Sequence, residues 1–246
     1  MSGYVKLGAE VDLFPGHTLS LIIREGYFLG YKGEVYWEGI TVLKGGDLMS
    51  LKEVNFMDGL RWGSAIGCNG KVYLFCTKQS KKDSNPWRYQ DIYLYESGDG
   101  INFSEVGKFT SGSAPFIYRQ NGKYHLFYHE REPHRILLRT AKEIKQIRNA
   151  KPIELIKSKY IISAPSVCHF NGYYWLTCER RLKGRDWDTP LFKGKNFYSF
   201  VIHEDPLLDK RACAFQHIFG DRLILTSSFK RCRVWWLMLM EGRIED

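Results

Sequence analysis

Five copies of one hairpin signature, spaced almost evenly along 246 residues, predict an all-β chain folded as a five-bladed β-propeller. Three observations carry that prediction. Aligned on a turn glycine, the copies are "HTLSLIIREGYFLGYKG", "RWGSAIGCNGKVYLFCT", "SAPFIYRQNGKYHLFYH", "SAPSVCHFNGYYWLTCE" and "RACAFQHIFGDRLILTS". Their glycines, Gly26, Gly70, Gly122, Gly172 and Gly220, are 44, 52, 50 and 48 residues apart, and a period of about 40–50 residues is that of propeller blades. In each copy an apolar run meets Asn-Gly, Glu-Gly or Phe-Gly and then a second apolar run, the pattern of a tight hairpin. Aromatic residues make up 15% of the chain, which favours strands over helices.

The elements follow in order. "YVKLGAEVDL" precedes the first copy and reads as a strand without a partner in its own unit. Each copy then supplies the two inner strands of a blade. In the second unit "DIYLYESGDGINFSEVGKF" continues as a third strand, a Gly-Asp-Gly turn and a fourth strand, giving four antiparallel strands per blade. The fifth unit ends after its third strand, "RVWWLML", so the N-terminal segment is expected to complete the last blade as its outer strand. No linker or composition break divides the chain, and residues 1–246 read as one domain. The alternative architecture, a β-sandwich, makes the four regular spacings a coincidence.

The bulk chemistry narrows the function classes. Lys and Arg number 36 against 27 Asp and Glu, a net charge of +9 that favours anionic partners. The N-terminus lacks a basic start followed by an apolar run, so no signal peptide is expected and the assignment is cytoplasmic. The apolar stretch "VWWLMLM" is too short to cross a bilayer, and no membrane partner is expected. The cysteines, Cys68, Cys76, Cys168, Cys178, Cys213 and Cys232, lie mostly within apolar runs and lack the close pairs of a zinc site. They read as buried free thiols. No nucleophile elbow, phosphate loop or zinc-protease motif is present, so neither a metal nor a cofactor is expected. His125 alternates with Tyr124 and Leu126 and reads as a packed strand residue.

The stretches "SAPFIYRQNGKYHLFYH", "SAPSVCHFNGYYWLTC" and "YESGDGINF" resemble the five-bladed propellers of glycoside hydrolase family 43 and its invertase-like relatives, and the likeness spans the whole chain. That resemblance implies a sugar site at the ring axis. It also implies three carboxylates there, an Asp in the first blade, an Asp in the third and a Glu in the fourth. Glycosidic cleavage needs one carboxyl to protonate the leaving oxygen and another to activate water or attack carbon. This sequence departs from the pattern: Ala114 stands before Pro115, Ser163 stands two residues before Pro165, and Thr18 beside His17 occupies the first-blade position.

The residues nine before each turn glycine are His17, Arg61, Ser113, Ser163 and Arg211, followed in the second unit by Trp62. They are the expected ligand-binding rim, together with His129 and Arg180. Arginine forks suit carboxylate, sulfate or phosphate, and an indole can stack on a sugar. The competing role for Arg61 and Arg211 is pairing with loop acids such as Asp58 and Asp209. The loops after the second strands are rich in Lys and Arg, including Lys78, Arg131, Arg135, Arg180 and Arg181. Glu179, with Glu130 or Asp58, is the candidate for a relocated acid/base pair; the competing role for Glu179 is an ion pair with Arg180, Arg211 or another rim arginine. Three functions follow: a glycoside hydrolase-like enzyme with a noncanonical residue set, a noncatalytic propeller holding an acidic glycan or a protein, or a nucleic-acid binder whose affinity falls steeply with salt.

Overall fold

The computed structural model describes residues 5–7, 11–15, 17–24, 27–34, 37–44, 52–78, 90–182, 187–203, 212–219, 222–231 and 234–244, with side-chain surroundings over 39–44, 52–78, 90–169, 171–182 and 188–203. Nearly all of it is strand. The first strands are β1 (Val5–Leu7) and β2 (Val11–Pro15), followed by one antiparallel sheet of β3 (His17–Arg24), β4 (Tyr27–Glu34), β5 (Trp37–Lys44) and β6 (Lys52–Asp58). The next sheet holds β7 (Leu60–Cys68), β8 (Lys71–Lys78), β9 (Asp91–Ser97) and β10 (Ser104–Ser111). A third holds β11 (Ser113–Gln120), β12 (Lys123–Glu130), β13 (Arg135–Ala141) and β14 (Ile153–Lys157), with a 3-10 turn at Ile144–Asn149. The fourth has β15 (Ile161–Phe170), β16 (Tyr173–Arg181), β18 (Leu191–Gly194) and β19 (Phe200–Ile202), and the short β17 (Trp187–Asp188) folds back on β16. In the last, β20 (Ala212–Phe219), β21 (Arg222–Arg231) and β22 (Val234–Ile244) are completed by β1 and β2, which both pair with β22. The N-terminal strand therefore completes the final sheet, as the missing fourth strand of that unit required.

The hairpins form where the glycine alignment placed them. Asn69, Asn121 and Asn171 have φ of 50°, 49° and 48°, and Gly70, Gly122 and Gly172 have φ of 74°, 69° and 72°. Both positions of each turn are left-handed, which asparagine tolerates and glycine adopts freely. The outer turn of the second sheet is fixed differently. Asp99 accepts hydrogen bonds from the amides of Ile101 and Asn102, each at 2.8 Å, and from the side chains of Ser97 and Asn102. Those donors hold its carboxyl well below the usual range.

Packing runs between faces of successive sheets. The inner strands lie against one another in chain order, β3 on β7, β7 on β11, β11 on β15, β15 on β20 and β20 on β3. Leu74, Phe75, Leu126, Phe127, Leu138 and Leu176 are fully buried in these interfaces; enclosing each such side chain stabilises the fold by about 1.5–3 kcal/mol. Phe197 packs against Tyr118, His125, Phe127 and Tyr174 and so ties the third sheet to the fourth. His125 is a core residue: it is 5% exposed and bonds Thr140 at 3.0 Å. Arg139 reaches the other way, to Thr110 Oγ1 at 3.3 Å on β10, while also donating to Tyr128 and to the carbonyls of Arg148 and Ala150. Cys68, Cys76, Cys168 and Cys178 are free thiols, the last three buried, and Cys213 and Cys232 lie outside the described residues.

Candidate active site at the inner-strand starts

The inner strands β7, β11 and β15 begin with the same deformation. Arg61 pairs with Thr77 and Ser64 with Phe75, so Trp62 and Gly63 together oppose Cys76 alone. Ala114 and Pro115 oppose Tyr128 in the same way, and Ala164 and Pro165 oppose Cys178. The first residue of each bulge is left-handed, with φ of 42° at Trp62, 48° at Ala114 and 47° at Ala164. An L-residue in that region costs about 1–2 kcal/mol, and proline at the second position suits a bulge because it has no amide to pair. Bulges of this kind re-aim side chains at the rims of sheets and beside active sites. Alanine gives no sequence sign of a left-handed residue, so the sequence did not reveal them.

The bulge places matched pairs at the start of each sheet: Arg61 across from Thr77, Ser113 from His129 and Ser163 from Glu179. Their environments differ. Thr77 is fully buried, and its hydroxyl accepts the amide of Ala114 in the next sheet at 3.0 Å. Ser64 does the same for Ile117 at 3.1 Å. Thr77 is thus an acceptor that seats the next bulge, because a buried amide requires a partner. His129 is 5% exposed and its Nδ1 lies 3.1 Å from Ser113 Oγ. Burial pushes its imidazole down to about 3, helped by His134, which stacks against it at 6.0 Å, and by Arg131. It is a neutral histidine at ordinary pH.

Glu179 is half-buried. Protein atoms crowd its carboxyl, and this desolvation pushes the group up to about 7. The ion pair considered for Glu179 with Arg180 does not form. Arg180 Nε donates to Asp188 Oδ1 at 2.9 Å and Arg180 Nη2 to Oδ2 at 2.5 Å.

The other candidate residues are placed as follows. Arg61 is fully buried beneath Trp62, with its guanidinium 5.3 Å from the centre of the half-buried indole. Glu130 is clamped by Arg135, which also reaches Glu154 at 3.2 Å. As the strand neighbour of His129 it leaves the opposite face of β12. Asp58 is exposed at the end of β6, where it pairs with Gly39. The structure does not bring Glu130 and Glu179 onto matching positions. His17 begins β3 opposite Lys32, its side-chain surroundings lying outside the described residues, as does Arg211 altogether. Of the cationic loops, residues 79–89, 183–186 and 232–233 lie outside the described residues; Lys78 pairs with Glu105 at 2.6 Å. No group of three or more potential metal ligands is found among the described residues. The partner of Arg180, Asp188, was not anticipated from the sequence; its only sequence sign is an acid a few residues beyond the Arg-rich end of β16.

The architecture is matched closely by solved structures. A thermostable family-43 glycoside hydrolase superposes with a TM-score of 0.73 at 11% identity, covering 96% of this chain and 92% of that one. The chain shares the propeller fold of family-43 enzymes. An exo-β-1,3-galactanase of Phanerochaete chrysosporium, solved with galactose, matches with a TM-score of 0.71 at 10% identity over 94% of this chain and 63% of its own length. A family-32 β-fructofuranosidase of Bombyx mori matches with a TM-score of 0.66 at 14% identity, over 93% of this chain and 62% of that one. No family model matches the sequence, and no curated protein matches it.

Proposed function

We propose that the chain is a single five-bladed propeller that is carbohydrate-active, taking a glycan at the axial end of its inner strands, with Glu179 as the proton donor. The ring of contacts from β3 through β20 and back to β3 supports the blade count. The observation that carries the functional reading is the state of Glu179. It stands at the start of an inner-strand pair, with its carboxyl raised to about 7 and no counter-charge among the described residues. A carboxyl in that state still holds its proton near neutral pH, as protonation of a glycosidic oxygen requires. Ser163 across the strand pair, with Ser113 and Trp62 at the starts of β11 and β7, are the groups proposed for sugar hydroxyls and a sugar face. The surplus of Lys and Arg favours an anionic glycan.

A second reading, a noncatalytic glycan-binding propeller, is favoured by one specific observation. The two left-handed bulge positions of β11 and β15 carry alanine, Ala114 and Ala164, which supply no acid. The two readings separate on sugar release from a panel of neutral, uronic and phosphorylated glycosides, comparing the wild-type protein with Glu179→Gln. Release that Glu179→Gln abolishes supports the enzyme. Binding without release supports the binder. Release that survives the substitution removes Glu179 from its role.

A further inference from the structure

Lysines on the second and fourth sheets are held in two different ways. On the second sheet Lys71, Lys78 and Lys108 each meet an acid, Glu96 at 3.1 Å, Glu105 at 2.6 Å and Asp91 at 2.8 Å, so their charges are locally cancelled. On the fourth, Lys193 and Lys195 rest on aromatic rings. Lys193 Nζ lies 4.0 Å from the centre of the Tyr173 ring and 4.9 Å from that of Trp175, and Lys195 Nζ lies 5.9 Å from the Tyr173 centre. Neither lysine makes an ion pair among the described residues. A ring face attracts an ammonium through its quadrupole but carries no net charge. The contact therefore orients both cations and leaves their charges uncancelled.

Strand register builds this cluster. Tyr173 and Trp175 are two apart in β16 and share one face, with ring centres 6.4 Å apart. Lys193 of β18 pairs with Trp175, and Val201 of β19, 70% exposed, pairs with Lys193. Lys195 is exposed just past the end of β18. The cluster is separate from the inner-strand starts: Tyr173 opens β16 at the Gly172 turn, about 20 Å along the strand from Glu179. Two uncancelled ammonium groups on one small surface are stabilised by an anion beside them. The rings select its class. Single-stranded nucleic acid is gripped by bases stacked on open aromatic faces, whereas here ammonium groups already occupy the faces turned to the lysines. Two cations beside exposed apolar carbon suit the acidic groups and ring carbons of a sugar chain.

We propose that Tyr173, Trp175, Lys193 and Lys195 form a second glycan contact, away from the axial end, that takes the carboxylate or sulfate groups of an acidic polysaccharide. The inference rests on the reading of the chain as glycan-directed, and not on catalysis by Glu179. The test is binding of the full-length protein to polygalacturonate, dextran sulfate and uncharged dextran at low ionic strength, where exposed charges are least screened. The wild type should bind an acidic chain and not dextran; binding of polygalacturonate assigns carboxylate, and binding of dextran sulfate alone assigns sulfate. Lys193→Gln with Lys195→Gln should weaken that binding about five- to tenfold, the loss of two exposed charge contacts, while Lys193→Arg with Lys195→Arg should keep it. Lys151→Gln with Lys157→Gln, at exposed positions of the third sheet, removes the same net charge and should leave binding nearly unchanged. An equal loss in that control overturns the proposal, because net charge alone would then be the cause. So does unchanged binding in the Lys193 and Lys195 pair of substitutions, no binding of either acidic chain, or a loss seen only with a single-stranded oligonucleotide as ligand. Should the double substitution fail to fold, the exposed Lys195→Gln alone decides: binding should weaken about two- to threefold, and no change overturns the proposal. Glu179→Gln should bind the acidic chain as the wild type does, so failure of the catalytic reading would appear separately, as absence of sugar release with this binding intact.

Discussion

Replacing Glu179 by glutamine should stabilise the protein above neutral pH and leave it almost unchanged in mild acid. The folded carboxyl is raised from 4.5 to about 7 by burial. Between those values the folded state keeps a proton that the unfolded state releases, so the wild type loses stability as pH rises through that window and levels off above it. The full shift corresponds to about 3 kcal/mol, and partial solvent contact brings the expected loss to about 2–3 kcal/mol. Glutamine mimics the protonated acid and has no proton to lose, so Glu179→Gln escapes that penalty. For a chain of this size the gain equals about 5–10 °C in melting temperature near pH 8, shrinking toward zero near pH 5. The buried histidines work in the opposite direction. His125 and His129 are held neutral, pushed down to about 4 and about 3, and each costs stability as pH falls below its ordinary value. They contribute equally to both proteins and cancel in the difference. The assay is urea unfolding of both proteins across this range. A difference that stays flat from about pH 5 to about pH 8 would refute the argument, because Glu179 would then titrate normally in the folded state.

Two further outcomes test the inter-sheet contacts and the core. Thr77→Val removes the acceptor of the Ala114 amide, and an unpaired buried amide costs about 1–3 kcal/mol, read as a lower urea midpoint at constant slope. Thr77→Ser should recover most of it, and an unchanged midpoint in Thr77→Val would show that the amide finds another partner. Cys76, Cys168 and Cys178 should resist a thiol reagent in the native protein at mildly alkaline pH and react once it is unfolded, followed site by site by mass spectrometry. Rapid native labelling of any of these three would contradict their burial.

The repeat was legible because each hairpin writes its turn into the sequence: Asn-Gly needs two left-handed residues, and few other pairs allow them. The closing role of β1 and β2 was legible for a related reason, a unit one strand short beside a strand without a unit. The register position of Glu179 opposite Ser163 was legible from alignment alone, since the bulges fall at the same place in three sheets and preserve the register. The surroundings of these residues were not. Arg61 counts as a rim position in the alignment, yet the bulge that follows lays Trp62 over it and buries it. Arg180 reads as a free loop cation until β17 folds back and delivers Asp188, a contact decided by tertiary pairing rather than by local pattern. Thr77 and Glu179 hold the same repeat position; one seats a neighbouring bulge and the other has no hydrogen-bond or ion-pair partner among the described residues, and only the packing of adjacent sheets separates them.

The pH dependence of sugar release, measured for the wild type and for Glu179→Gln on the most reactive member of the glycoside panel, tests the central claim most directly. A general acid works only while protonated, so the account predicts release that falls on the alkaline side with a midpoint near the raised value of about 7, and no release from Glu179→Gln. Release by Glu179→Gln at the wild-type rate, with the alkaline limb intact, would contradict it.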